Sequence, residues 1–124
     1  ELGIPFEAPI ELWGYTLMRQ EATWELDLWW ETTGSLTEDY VVFVHLLGPD
    51  GALVAQHDHI AGADGYPTGV WPPGTRLRDR FFLNVPGGSC LDCRIHIGLY
   101  TSERRLLRES GLDFVEIELT ESGP

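Results

Sequence analysis

His57-Asp58-His59 is the most metal-like cluster in the sequence. In extended backbone the two imidazoles point to the same side, and H-x-H at a strand end can grip a transition metal. A complete site needs a third and usually a fourth ligand. His45 or Asp64 could serve, but a downstream Glu at ligand spacing is missing. The competing reading is a pair of polar residues at a strand exit. Cys90 and Cys93 form a C-x-x-C pair, which supplies only two of the four ligands of a structural zinc site. The chain lacks the βαβ pattern of a thioredoxin-type redox site. A local disulfide or two plain thiols remain. Hard oxygen ligands for calcium could come from Asp50, Asp58, Asp64 and Asp79 if these converged on one end of the fold, though their spacing is not that of an EF-hand.

Catalytic constellations are harder to find. Ser35, Ser89, Ser102, Ser110 and Ser122 lack the context of a nucleophile elbow. No carboxylate pair stands out at glycosidase separation. His45 sits in a doubly apolar run and reads as a hydrogen-bonded core histidine, and Asp79 reads as an inward-facing structural acid. The expectation is a chain with no catalytic residues, no resident metal and no cofactor. The aromatic residues are more suggestive. Trp24 and Trp30 follow an apolar face, whereas Trp29 falls on the polar face between Asp27 and Glu31. Trp71 stands before Pro72-Pro73. Exposed rings beside carboxylates hold sugars by stacking and hydroxyl hydrogen bonds, although most Trp rings merely cover a neighbouring strand.

The elements that must position these residues read as strands. Ala22 to Thr32 alternates with period two, and Tyr40 to Leu47 is apolar on both faces. Pro49-Asp50-Gly51 turns that run into Ala52 to His57, which makes a hairpin. Arg76, Arg78 and Arg80 alternate along another strand with one cationic face. Asp92 to Tyr100, Arg105 to Arg108, Phe114 to Leu119 and Glu11 to Leu17 complete the set. Asp58 to Pro73, with Tyr66 and Trp71 embedded, has no strand period and reads as a long loop, capping the fold or contacting a ligand. About eight strands without a helix predict an all-β, two-sheet antiparallel sandwich, Ig-like or jelly-roll-like. It forms one domain over residues 1–124, with its core over 11–119 and flanking termini at 1–9 and 121–124.

The whole chain has 124 residues and a formal charge of −12, with twenty acidic residues against eight arginines. That balance excludes the basic footprint of a nucleic-acid binder and repels anionic lipid. No stretch is apolar enough to span a bilayer and no signal pattern is present, so direct membrane insertion is not expected. The start at Glu1 reads as the edge of a piece of something longer.

From residue 40 onward the order of features is more specific. Tyr40-Val41-Val42-Phe43-Val44-His45-Leu46-Leu47 precedes Pro49-Asp50-Gly51 and Ala55-Gln56-His57-Asp58. Tyr66-Pro67-Thr68, Trp71-Pro72-Pro73-Gly74, Asp79 and Gly98-Leu99-Tyr100 follow. Over about residues 11–109 this resembles the soluble β-sandwich segments at the C-terminal end of multi-span bacterial membrane glycosyltransferases and related membrane proteins, notably of Chloroflexi-like bacteria. It departs from their pattern at Cys90 to Cys93, where a Gly followed by an aromatic residue is expected. The resemblance implies an extracytoplasmic accessory module, with the sugar-transfer chemistry in a membrane part that this chain does not contain. That compartment permits a Cys90–Cys93 disulfide. The implied partners are a glycan or a neighbouring envelope or membrane protein; the reading of the residues themselves offers Asp58, Tyr66 and Trp71 of the long loop, with Trp29, as the contact residues. Two rivals stand beside this reading: a ligand-free protein-interaction sandwich, and a metal-dependent cupin-like enzyme built on His57 and His59.

Overall fold

Alternating side chains force the chain into two layers. A computed structural model describes residues 4–34, 39–60, 72, 74–88, 90, 92–101, 105–106 and 111–119. Its strands are β1 (Ile4–Pro5), β2 (Ile10–Gln20), β3 (Thr23–Thr32), β4 (Val41–Leu47), β5 (Leu53–Ile60), β6 (Arg76–Asn84), β7 (Arg94–Tyr100) and β8 (Val115–Glu118). They pair antiparallel in two four-stranded sheets, ordered β1-β2-β3-β6 and β5-β4-β7-β8. Among the described residues there is no α-helix. The chain is an all-β, two-sheet antiparallel sandwich. β6 returns beside β3, and β7 beside β4 in the opposite sheet, which is the connectivity of immunoglobulin-like sandwiches rather than of a jelly roll.

The inner faces supply the cohesion. β3 turns Trp24, Leu26, Leu28 and Trp30 inward, and β6 adds Leu77, Phe81 and Leu83. Val42, Val44 and Leu46 of β4 meet them from the other sheet, with Ile95, Ile97 and Leu99 of β7. Each large side chain fully buried in this way contributes about 1.5–3 kcal/mol relative to exposure. The β4–β5 hairpin closes where expected. Gly51 adopts φ 85°, the left-handed region that glycine enters without strain, and the Ala52 N–H donates to the Asp50 carboxylate at 3.0 Å.

Several element boundaries differ from the sequence expectation. The N-terminal flank contributes β1, and Phe6 beside it joins the core, because edge pairing with Glu11 and Leu12 recruits it. β5 continues through His57, Asp58, His59 and Ile60, since Val41 to Phe43 of β4 extend the ladder beyond the expected strand end. Of the expected strand at Arg105 to Arg108, only Arg105 and Leu106 are described, and Arg105 forms a bridge with Tyr100; residues 107–110 lie outside the described residues.

Candidate functional site

The outer face of the β1-β2-β3-β6 sheet carries the aromatic site. Strand alternation turns Glu25, Asp27, Trp29 and Glu31 of β3 outward, and β6 turns out Arg76, Arg78, Arg80 and Phe82. The register sets Glu31 opposite Arg76, Trp29 opposite Arg78, and Asp27 opposite Arg80. A register shift in β2 between Leu12 and Gly14 interrupts the alternation at Trp13. That ring lies under the Arg76 guanidinium at 4.3 Å, while Arg78 stands 5.7 Å from the Trp29 ring. Both indoles are half-buried. Sequence reasoning had not selected Trp13; the signal was Gly14, since a glycine inside a strand often marks a bulge.

Ion pairs order the polar part of this face. Arg76 donates to Glu31 Oε2 at 3.1 Å. Arg80 grips both oxygens of Asp27, at 2.9 and 3.3 Å, and also faces Glu25 at 3.2 Å. The Asp27 hydrogen bond is the main reason why the Arg80 guanidinium holds its proton more tightly than usual. Flat indole rings flanked by fixed donors form a surface for stacking and hydrogen bonding.

Asp58 lies elsewhere. It projects from the outer face of the other sheet, where Tyr100 Oη donates to its Oδ2 at 3.0 Å and His45 Nε2 stands 3.7 Å from Oδ1. Phe43 packs beside His45 with ring centroids 4.8 Å apart, and Arg105 covers Phe43 at 4.3 Å. Further along, Glu116 binds His96 at 3.0 Å, and Phe114 stacks on His96 at 3.9 Å. Burial lowers the His45 pKa; Asp58 opposes that shift, and Arg105 and His96 add to it. Burial, then the Asp58 hydrogen bond, raises the Tyr100 pKa. His45 is thus an outer-face residue with an acidic neighbour, not a core histidine.

Asp58 and Trp29 therefore occupy different sheets and share no face. Tyr66 and Trp71 lie outside the described residues. The far end of their segment is anchored: Thr32 Oγ1 donates to the Pro72 carbonyl at 3.0 Å and accepts the Thr75 N–H at 2.9 Å.

The two histidines of the H-x-H motif do point to one side, inward over the edge of β6. His57 Nδ1 accepts the Phe82 N–H at 2.9 Å, and its Nε2 lies 3.4 Å from His59 Nδ1. His59 stacks on Phe81 at 4.0 Å, and its buried Nε2 faces Asp79 at 3.8 Å. Asp79 is inward, as its position in the alternation implies, and only 2% exposed. His45 is on the opposite face of that sheet and cannot join the pair as a third ligand. Among the described residues no three His, Cys, Asp or Glu side chains are arranged to hold a metal ion. The acidic convergence weighed for calcium is not formed by the described residues, because Asp58 faces outward, Asp79 inward, and Asp50 caps the hairpin turn; Asp64 lies outside the described residues. Cys90 and Cys93 are joined in a disulfide.

No protein-family description and no curated protein matches the chain. Solved structures do. A beta-glucuronidase from glycoside hydrolase family 2 superposes with a TM-score of 0.62 at 13% identity, over 86% of this chain and 11% of that one. A glycosyl hydrolase family 2 member from Bacteroides cellulosilyticus DSM 14838 gives 0.61 at 12% identity, over 94% and 15%. The C-terminal domain of wzt gives 0.57 at 12% identity, over 97% of this chain and 78% of that one. The chain thus spans a small part of both hydrolases and most of the wzt domain. At these identities the likeness is one of fold: the chain is similar to β-sandwich units that occur inside larger proteins.

Proposed function

We propose that this sandwich is a non-catalytic carbohydrate-binding accessory domain that works on the extracytoplasmic side of a bacterial membrane, as part of a larger glycosyltransferase-like protein. The observation that carries the reading is the outer face with Trp13 and Trp29, where two indoles lie beside ordered guanidinium and carboxylate groups. Two of the similar structures are named as glycoside hydrolases, which supports a sugar-related setting. The Cys90–Cys93 disulfide supports an oxidising compartment. The membrane protein itself rests on the sequence resemblance.

A glycan array probed with the intact chain tests the proposal. Binding should fall about tenfold in Trp29→Ala and in Trp13→Ala, as expected when one aromatic contact is removed. Trp71→Ala reports whether the segment preceding Pro72 shares in the contact. An array with no bound glycan, or binding untouched by both Trp13 and Trp29 substitutions, speaks against it. The rival reading is a protein-docking module, favoured by the exposure of Leu53 (51%) on β5 and Phe82 (49%) on β6, two strands that lie against each other. A glycan-free array would leave that reading standing.

A further inference from the structure

The charged groups of the Trp13/Trp29 face are unevenly paired. Each carboxylate has a guanidinium partner: Asp27 gives both oxygens to Arg80, Glu25 Oε2 faces the same guanidinium, and Glu31 Oε2 takes Arg76. One guanidinium is less well served. Arg78, between the other two arginines on β6, comes no closer than 3.9 Å to a carboxylate among the described residues, and that carboxylate is Asp27, already gripped through both oxygens by Arg80. Arg78 is 52% exposed and sits beside the Trp29 ring. A guanidinium offers five N–H donors in a planar fork that matches an oxyanion bidentately.

Building on the carbohydrate reading above, we infer that Arg78 selects saccharides bearing an isolated anionic group, whose sugar ring stacks on Trp29 while the oxyanion takes the Arg78 fork. The chain's net charge of −12 restricts the ligand further. Its long-range field repels a densely charged polymer, and only contact within a Debye length, about 8 Å at physiological salt, favours an anion here. Sparse acidic groups fit this balance. The same chemistry is offered by a uronate carboxylate and by a sugar phosphate ester.

Titration calorimetry with an oligogalacturonide, its fully methyl-esterified form and a phosphorylated oligosaccharide tests the inference. At least one charged probe should bind about tenfold more tightly than the ester, the size of a lost charge-assisted hydrogen bond. Arg78→Gln should remove that preference, so that charged and esterified probes bind alike, whereas Trp29→Ala should weaken both. A preference confined to the uronate or to the phosphate names the anion. Equal binding of charged and neutral probes, or a preference that survives Arg78→Gln, overturns the inference while leaving the carbohydrate reading intact. If no saccharide binds, both fall. Circular dichroism of each variant checks the fold, which an exposed Arg78 does not support from within.

Discussion

At the scale of single residues, Gly98 shows how tightly the second sheet's outer face is built. Phe43 points away from the main core yet is only 1% exposed, because its ring lies over Gly98 and under Arg105. A Cβ at Gly98 would overlap the Phe43 ring and approach the Asp113 carbonyl. Neither neighbour is free to retreat: Asp113 pairs with Arg105 at 3.5 Å, and Phe43 abuts His45 and Tyr100. Gly98→Ala should therefore cost about 1–3 kcal/mol, the usual penalty for overpacking. Chemical denaturation reads this as a lowered midpoint, and an unchanged midpoint would show that the ring has room. The Tyr100–Asp58 hydrogen bond should loosen in the same variant, since Phe43 is the surface against which Tyr100 and His45 rest.

Among the elements, the turn leading into β7 is clamped twice. The disulfide joins Cys90 to Cys93, and the Cys93 carbonyl accepts the Leu119 N–H at 3.2 Å, tying the turn to the end of β8. A bridge between residues three apart closes so short a loop that chain entropy limits its contribution to about 2 kcal/mol. Cys90→Ser with Cys93→Ser should lower stability by no more than that and leave the fold intact by circular dichroism; outright unfolding would mean that the clamp matters more than loop closure allows. Strands were the most legible elements. β3 and β7 announce themselves by period two, and the Pro49-Asp50-Gly51 turn pins the β4–β5 register. β1 was illegible because two residues carry no period, and the end of β5 because it is set by partners in β4 rather than by its own composition. The site divides in the same way. Alternation alone puts Trp29 outside, whereas the exception at Trp13 follows from a register shift, and the uneven pairing of the guanidinium groups depends on which carboxylate lies across the strand.

For the whole molecule, the outer face of the second sheet sets a window of pH. Burial depresses the His45 pKa below 6.5, so on acidification the unfolded chain takes up this proton before the folded one. Stability attached to His45 is complete above 6.5 and is lost as the pH falls below it. Tyr100 behaves in mirror image: its pKa is raised above 10.0, so its contribution is complete below that value and is lost as the pH climbs through the folded-state value. The net charge of −12 works against the first effect, because acidification relieves self-repulsion among carboxylates. A single acid limb therefore mixes two opposing causes, and substitution separates them. In denaturation midpoints measured across pH, His45→Gln should hold up better than the parent below 6.5 and match its slope above. Tyr100→Phe should flatten the alkaline limb alone. Superimposable profiles for the parent and His45→Gln would mean that His45 is solvated enough to keep its ordinary pKa, and the packing of Phe43, Arg105 and His45 described for this face would then be too tight.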